Sequence, residues 1–243
     1  MKKEIAIKWI NLLAFAATLY VNYLSVAMQL GGRSIRELSD KYSNLFTPSN
    51  QTFAIWSLIY TLVFIFLIAQ FFSPSDEKKI SNSFHFLISC FLNAGWIVAW
   101  QLEYIGLSLV IMLALLAVLA QINQQATTEK GLLQKIVFGV YLGWICIATI
   151  ANVTTWLISL RLSIPFSVQV FSTLGILIVA AIVVGWVMKK LANPFLAIAV
   201  IWAFYGVYVK RLGDVPEIAF TAMAMAILVL LSIWLFSIRP TGR

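Results

Sequence analysis

The sequence predicts an all-α fold, a polytopic transmembrane bundle of about eight helices. Of the 243 residues, 62% are hydrophobic and 11% are charged, and the mean hydropathy is +0.94. A soluble fold of this length could not cover so much apolar surface with polar groups. Eight runs of at least nineteen residues contain no Lys, Arg, Asp or Glu, and each can cross a hydrocarbon core of about 30 Å. The runs are residues 9–32, 42–75, 80–102, 104–128, 136–160, 162–188, 191–209 and 218–238.

The charged residues mark the ends of these runs and do not form a nucleic-acid surface. The net charge is +8, and the basic side chains stand singly or in pairs such as Lys78 and Lys79 beside the runs. Such pairs are typical of topological signals that face anionic lipid head groups. We therefore expect the lipid bilayer as a partner and no nucleic acid. The short connectors also leave no room for a soluble catalytic domain, which excludes most classes of enzyme.

The first run predicts a retained helix. Lys2 and Lys3 precede it, and Ser25-Val26-Ala27 near its end is similar to a signal-peptide cleavage site. A signal peptide has an apolar region of roughly 7 to 15 residues, and this run is longer. Cleavage would instead leave seven helices.

The second run is too long for one span. Pro48 favours a helix start, because proline is tolerated in the first turn. We expect a helix over about residues 49–72, preceded by an irregular loop from Gly31 to Thr47. The six later runs predict one helix each, and Pro194 and Pro216 mark the starts of the last two.

The distribution of Lys and Arg predicts the orientation. If all eight runs span the membrane, 11 basic residues fall on the side of the two termini and 6 on the other side. The positive-inside rule then places both termini in the cytoplasm.

Aromatic and carboxamide side chains form one stripe on each of three predicted helices. Residues three, four, seven and eleven apart share a helical face. The stripes are Phe53, Trp56 and Tyr60 in the second run, Asn93, Trp96 and Trp100 in the third, and Tyr141, Trp144 and Asn152 in the fifth.

The amides indicate that these faces point into the bundle. An amide without a partner in hydrocarbon costs several kcal/mol, so Asn93 and Asn152 should face neighbouring helices, water or a ligand. A pocket walled by indoles with a few amides suits a flat conjugated ligand. The alternative is that the asparagines only join helices and the tryptophans only pack.

Three motifs carry a resemblance to a known family. Pro48 precedes Phe53, Trp56 and Tyr60, the third run contains Leu92-Asn93-Ala-Gly-Trp96, and the fifth contains Tyr141-Leu142-Gly143-Trp144 followed by Ala148 and Asn152. At these residues the sequence resembles the tryptophan-rich sensory protein family, also called the translocator protein or peripheral benzodiazepine receptor family. The resemblance covers about residues 5–158.

The resemblance implies a fold, a ligand class and a location. Family members are five-helix bundles with a pocket beneath the loop between helices one and two, and they bind porphyrins and other tetrapyrroles, with sterols in animals. It implies that residues 1–158 form such a bundle, whereas residues 159–243 add three helices. We expect an integral protein of a bacterial cell membrane. By resemblance the pocket would be lined by Phe53, Trp56, Tyr60, Asn93, Trp96, Tyr141, Trp144 and Asn152.

Two functional hypotheses follow. The first is a receptor or carrier that binds a porphyrin-like ligand among the second, third and fifth helices, in stress sensing or tetrapyrrole transport. The second is an uncoupled permease for a small neutral solute, or a scaffold, that uses the C-terminal helices. A homodimer is a further expectation, because Ala222, Ala224 and Ala226 form a small-residue run.

Catalysis is not expected. No set of residues suggests an acid–base pair or a nucleophile, and the sequence only permits photochemical breakdown of a bound porphyrin. No cofactor is expected apart from a porphyrin or haem-like ligand. His85 is the single histidine, and a structural or interfacial role is the more common one for such a residue.

Overall fold

The computed structural model describes residues 2–28, 30–33, 35–72, 84–128 and 131–238. Within these ranges the chain is helical, with no β-strand, and the predicted all-α bundle is confirmed. The helices are α1 (Lys2–Ala27), α2 (Ile35–Lys41), α3 (Ile55–Phe72), α4 (Phe84–Gln101), α5 (Ile105–Thr128), α6 (Leu132–Ser159), α7 (Phe166–Leu191), α8 (Leu196–Arg211) and α9 (Pro216–Ile238). A 3₁₀ turn over Asn50–Ala54 leads into α3.

The eight predicted runs correspond to α1 and to α3 through α9. Seven helical segments in the described ranges have the length and apolar composition to cross a membrane. The exception is α8, whose 16 residues make it about 24 Å long at 1.5 Å per residue. Many of its side chains are nevertheless buried, so one face of α8 packs inside the bundle.

The first connector differs from its prediction. The expected irregular loop from Gly31 to Thr47 contains the short helix α2. The next helical segment begins at Asn50 with the 3₁₀ turn and continues through α3 to Phe72, in agreement with the expected 49–72. Helix α2 is held by packing, because its Leu38 is buried against Trp100 and Ile105. Pattern alone could not show that contact.

The bundle has two ends and is centred on α6. Residues 30–33 and 35–49, which we call the lid, lie at the same end as the connectors α4–α5, α6–α7 and α8–α9, and we call this the lid end. The opposite end is the far end. Helix α6 packs against α3, α5 and α8, while α4 packs against α1 and α5. Helix α9 packs against α7 and α8.

The last three helices pack directly on the first five. A Cβ atom at Gly143 of α6 would overlap the carbonyl oxygen of Leu196 and lie 3.0 Å from its Cα. Glycine at this position therefore lets the start of α8 approach the α6 backbone. One buried core cluster contains residues from both sides of position 158. The division at that position into a family-like bundle and three added helices stays a prediction.

The alanine run in α9 is largely covered within the protomer. Ala222 and Ala226 are buried, whereas Ala224 is exposed. The homodimer expected from the run stays a prediction.

Candidate functional site

A cavity of about 420 Å³ lies beneath the lid, between α1, α3, α4 and α6. Its volume is within the range of small-molecule sites, roughly 300 to 1,000 Å³. Seven of the nine predicted site residues line it: Phe53, Trp56, Tyr60, Trp96, Trp100, Trp144 and Asn152. The other two, Asn93 and Tyr141, lie next to the cavity on its far-end side. The structure thus brings the three predicted stripes together.

A column of nearly parallel rings forms one wall of the cavity. Trp100 stacks on Trp96 with centroids 6.3 Å apart and an interplanar angle of 29°. Trp96 stacks on Trp56 at 6.0 Å and 28°, and Trp56 stacks on Tyr60 at 5.3 Å and 27°. Because Trp56 and Tyr60 are on α3 while Trp96 and Trp100 are on α4, the column joins two helices. These spacings are those of stacked aromatic side chains in contact.

Trp144 meets this column edge-on, and Phe53 meets Trp144 in the same way. Trp144 of α6 contacts Trp56 edge-on, with centroids 6.3 Å apart and an angle of 83°. Phe53 contacts Trp144 at 5.9 Å and 85°. The Trp144 indole N–H is buried and has no hydrogen-bond partner in the described part of the chain. Trp144 therefore lines the cavity and carries an indole N–H donor that no group in the described ranges uses.

A network of amides and phenols closes the cavity on the far-end side. The hydroxyl of Tyr60 donates to Oδ1 of Asn22 at 3.0 Å and is 3.2 Å from Oδ1 of Asn93. Nδ2 of Asn22 donates to the same Asn93 oxygen at 3.1 Å, and Nδ2 of Asn93 donates to the hydroxyl of Tyr141 at 2.9 Å. The prediction that Asn93 faces neighbouring helices is confirmed by these contacts. Four helices are joined here, so the polar groups satisfy one another in the apolar interior.

Asn152 holds a tryptophan in place. Its Oδ1 accepts a hydrogen bond from Trp96 Nε1 at 3.3 Å and another from the Ser108 hydroxyl at 3.2 Å. Its Nδ2 donates to the backbone oxygen of Ala148 at 2.9 Å. Asn152 therefore orients the central indole of the column and also lines the cavity.

The lid covers the open end of the cavity. Ser39 of α2, together with Thr47 and Pro48, lines the cavity wall on this side. Arg33, Lys41 and Tyr42 attach the lid to Glu103, in the α4–α5 connector.

Three lid side chains converge on the Glu103 carboxylate. Arg33 and Lys41 form ion pairs with it, and the Tyr42 hydroxyl donates to it at 2.9 Å. The hydrogen bond from Lys41, with that from Tyr42 and the two positive charges, lowers the pKa of Glu103 below its ordinary value. Burial, followed by the bond to Glu103, raises the pKa of Tyr42.

The lining of the cavity carries no charged side chain. Its lining contains indoles, phenols, amides, hydroxyls and aliphatic groups, with no Asp, Glu, Lys, Arg or His. Across the described ranges, no group of three or more His, Cys, Asp or Glu side chains could hold a metal ion. His85 lies away from the cavity, in a shallow surface depression with Gln121, Gln124 and Gln125.

Sequence reasoning missed two contributors to this site. The first is α1, which supplies Leu19, Asn22, Tyr23 and Val26 to the lining. Asn22 could have been found by the argument used for Asn93, because it too is an amide within an apolar run. The second is Arg211, which contacts the lid although it stands far along the chain, after the last aromatic stripe.

Comparison with known proteins supports the resemblance carried by the motifs. The search of curated proteins and the search of solved structures each gave no match. A family model described as TSPO-like protein matches residues 8–235. This match extends beyond the stretch of about 5–158 that carried the resemblance and includes α7 and α8. The chain therefore belongs to the TSPO-like family, the family of the tryptophan-rich sensory and translocator proteins.

Proposed function

We propose that the protein is an integral membrane receptor or carrier that binds a flat, hydrophobic, porphyrin-like ligand in the cavity beneath the lid. The observation that carries this proposal is the column of nearly parallel rings from Trp100 to Tyr60 along the cavity wall. A conjugated macrocycle gains stacking and edge contacts from such a wall, in addition to the burial of its apolar surface.

The ring spacings indicate where such a ligand would lie. Neighbouring rings of the column already contact one another, so a flat molecule would not insert between them. It would lie along the side of the column, where Trp144 stands nearly perpendicular to Trp56 and Phe53 nearly perpendicular to Trp144. Trp144 is then the natural residue to test together with Trp56.

The charges around the cavity favour one placement of acidic substituents. The lining is uncharged, so a carboxylate would be costly inside it. At the lid, Arg33 and Lys41 share the single carboxylate of Glu103. A ligand with an apolar ring and peripheral carboxylates would therefore place its ring against the indoles and its carboxylates toward the lid.

We propose that this binding serves stress sensing or tetrapyrrole transport. With both termini in the cytoplasm, as the charge distribution predicts, the lid would face the outside. Ligand exchange would then occur at the outer face of a bacterial cell membrane.

The second hypothesis, a permease formed by the C-terminal helices, has less support. A groove of about 610 Å³ lies between the start of α3, α8 and α9. Its lining is apolar or aromatic, and the one indole N–H there, of Trp202, is already bonded to the Thr52 carbonyl oxygen. A small neutral polar solute would find few partners along this groove.

The test is a titration of the purified, detergent-solubilised protein with protoporphyrin. Intrinsic tryptophan fluorescence and the porphyrin absorption band are followed together. We expect saturable micromolar binding, weakened about tenfold by Trp56→Ala or Trp144→Ala, since an aromatic contact contributes roughly 0.5 to 1.5 kcal/mol beyond area burial.

The matched control is Trp234→Ala, on the exposed surface of α9, where 62% of the tryptophan is accessible. It removes an indole without touching the cavity, so the affinity should be that of the unaltered protein. Equal affinity in the unaltered protein and in both cavity variants would contradict the proposal.

A further inference from the structure

Helix α8 contacts the chain between Pro48 and Phe53, two residues that line the cavity, although none of its own residues does so. Trp202 Nε1 donates to the carbonyl oxygen of Thr52 at 2.8 Å. The backbone N–H of Ser49 donates to the carbonyl oxygen of Gly206 at 3.0 Å. These bonds attach α8 to the end of the lid and to the 3₁₀ turn.

The contact between α8 and this turn is close. A Cβ atom at Gly206 would overlap Oγ1 of Thr52 and lie 2.9 Å from its Cβ. Thr52 is itself buried and is bonded through its hydroxyl to that of Ser49 at 3.0 Å. The close packing of α8 on Thr52 therefore requires glycine at position 206.

Arg211, the last residue of α8, makes the most extensive contact with the lid. Only 6% of the residue is exposed. Its Nη2 donates to the carbonyl oxygen of Asn44 at 2.6 Å, and its Nε donates to that of Leu45 at 3.1 Å. The planar guanidinium carries its donors in a fixed arrangement, so two bonds to adjacent carbonyls define the direction of that stretch of backbone.

The charge of Arg211 is balanced by a fixed carboxylate. Its Nη1 donates to Oδ2 of Asp214 at 2.6 Å. The other oxygen, Oδ1, accepts the backbone N–H of Val215 at 2.9 Å, just before α9 begins. The start of α9 thus orients Asp214. Arg211 is a buried cation whose side chain donates hydrogen bonds to two backbone carbonyls and to this carboxylate.

A tight turn connects the carbonyls that Arg211 binds to the lining of the cavity. Oδ1 of Asn44 accepts the backbone N–H of Phe46 at 3.1 Å and that of Thr47 at 2.8 Å. Phe46 is fully buried, and Thr47 lines the cavity. Fixing the Asn44 and Leu45 carbonyls therefore fixes the position of Thr47.

We propose that Arg211 is a positioning residue of the ligand site, and that α8 serves the cavity by holding residues 44–52 over it. The part of this inference that concerns ligand dissociation rests on the proposed function. The part that concerns the attachment of the lid does not. Without the guanidinium, two buried carbonyls lose their donors, the turn opens more often, and the ligand leaves faster.

The experiment measures amide hydrogen exchange and ligand dissociation in the full-length protein carrying Arg211→Gln. We expect exchange of the backbone amides of Phe46, Thr47 and Ser49 to rise about tenfold or more, because each unsatisfied buried group favours opening. Exchange in α4 should not change. The rate of protoporphyrin dissociation, followed by its absorption band, should rise in parallel.

The matched control is Arg161→Gln, an exposed arginine at the same end of the bundle, in the α6–α7 connector. It removes the same charge without touching the lid and should leave both rates unchanged. Unchanged exchange at residues 46–49 in Arg211→Gln would overturn the proposal. So would faster exchange with an unchanged rate of dissociation, because the turn would then be irrelevant to the cavity.

A second variant covers the case in which Arg211→Gln does not fold. Trp202→Phe keeps an aromatic ring on the half-exposed face of α8, removes the N–H that bonds to Thr52 and makes the ring system smaller. It should accelerate exchange at the 3₁₀ turn and ligand dissociation by a smaller factor, and its failure to do either overturns the role of α8. Absence of protoporphyrin binding by the unaltered protein contradicts the proposed function, whereas the exchange measurement still accepts or rejects Arg211 as the residue that holds the lid.

Discussion

The two ends of the lid are attached to different groups. The Arg33 end is attached to the partly exposed carboxylate of Glu103, and the Thr47 end to the buried guanidinium of Arg211. Glu103 accepts two flexible cationic side chains and one phenol at the edge of the bundle. Arg211 donates to two backbone carbonyls in the interior. Exposed ion pairs contribute little and are screened by salt, while buried donors are costly to remove. The lid should therefore open first from its Glu103 end and pivot about its Arg211 end.

The largest expected effect concerns the packing of α8 beneath the Arg211 end. Gly206→Ala forces a Cβ atom into Thr52, so we expect a loss of about 2 kcal/mol or more in stability. Thermal unfolding in detergent measures it. Gly213→Ala is the control, because a Cβ atom there has open space within 4 Å. Equal unfolding temperatures for the two variants would show that α8 does not pack closely on the 3₁₀ turn.

An intermediate effect is expected at the partner of Arg211. Asp214→Asn removes the balancing charge but retains an oxygen for the Val215 N–H and leaves both lid carbonyls bonded. Since the Asp214 side chain is 50% exposed, solvent reduces the loss to about 1 kcal/mol. Thermal unfolding measures it against Glu217→Gln, an exposed acid-to-amide change in the first turn of α9. A loss as large as that of Gly206→Ala would contradict this ranking.

A smaller effect is expected at the other end. Glu103→Gln removes the ion pairs with Arg33 and Lys41, and exposed pairs contribute about 0.5 kcal/mol or less. We expect amide exchange to become faster near Lys41 and to keep its rate at residues 46–49. In the unaltered protein, raising the salt concentration should reproduce the change, because it screens the same charges. Faster exchange that spreads to residue 49 would show that the two ends are not independent.

The smallest effect is a pH dependence confined to the Glu103 end. The pKa of Glu103 is lowered, chiefly by the hydrogen bond from Lys41. The ionised carboxylate therefore stabilises the attached lid fully above the ordinary carboxyl pKa of about 4.3. The contribution is lost as the pH falls through the lowered value. A nitroxide on Ser43→Cys should become more mobile in that acidic range. The same label on Glu103→Gln should show no such transition, and a transition that persists there would assign the titration to another group.

The sequence predicted most of the cavity wall because its signal is local. Phe53, Trp56 and Tyr60 share a helical face by their spacing alone, as do Trp96 and Trp100. The cost of a buried amide then turned those faces inward. Asn22 satisfies the same criteria in the first run, where Tyr20 and Tyr23 stand beside it, but it belongs to none of the three tryptophan-containing stripes.

Other parts of the site depend on which helices become neighbours. Arg211 was counted with the basic residues that flank a span, because a charged residue at a helix end is usually solvated. Its burial depends on the Asn44 and Leu45 carbonyls, about 166 positions away in the chain. Likewise, Gly206 has no distinctive sequence context, and only the approach of Thr52 gives it a role.

The sequence by itself determined that this protein is a membrane bundle of about eight helices with three aromatic faces turned inward. It did so because span length and helical periodicity are properties of short stretches of chain. The tertiary structure alone decided that these faces meet around one cavity, that α1 completes it and that α8 holds its lid. Those features follow from contacts between distant segments, where close packing and hydrogen-bond partners are chosen by the fold as a whole.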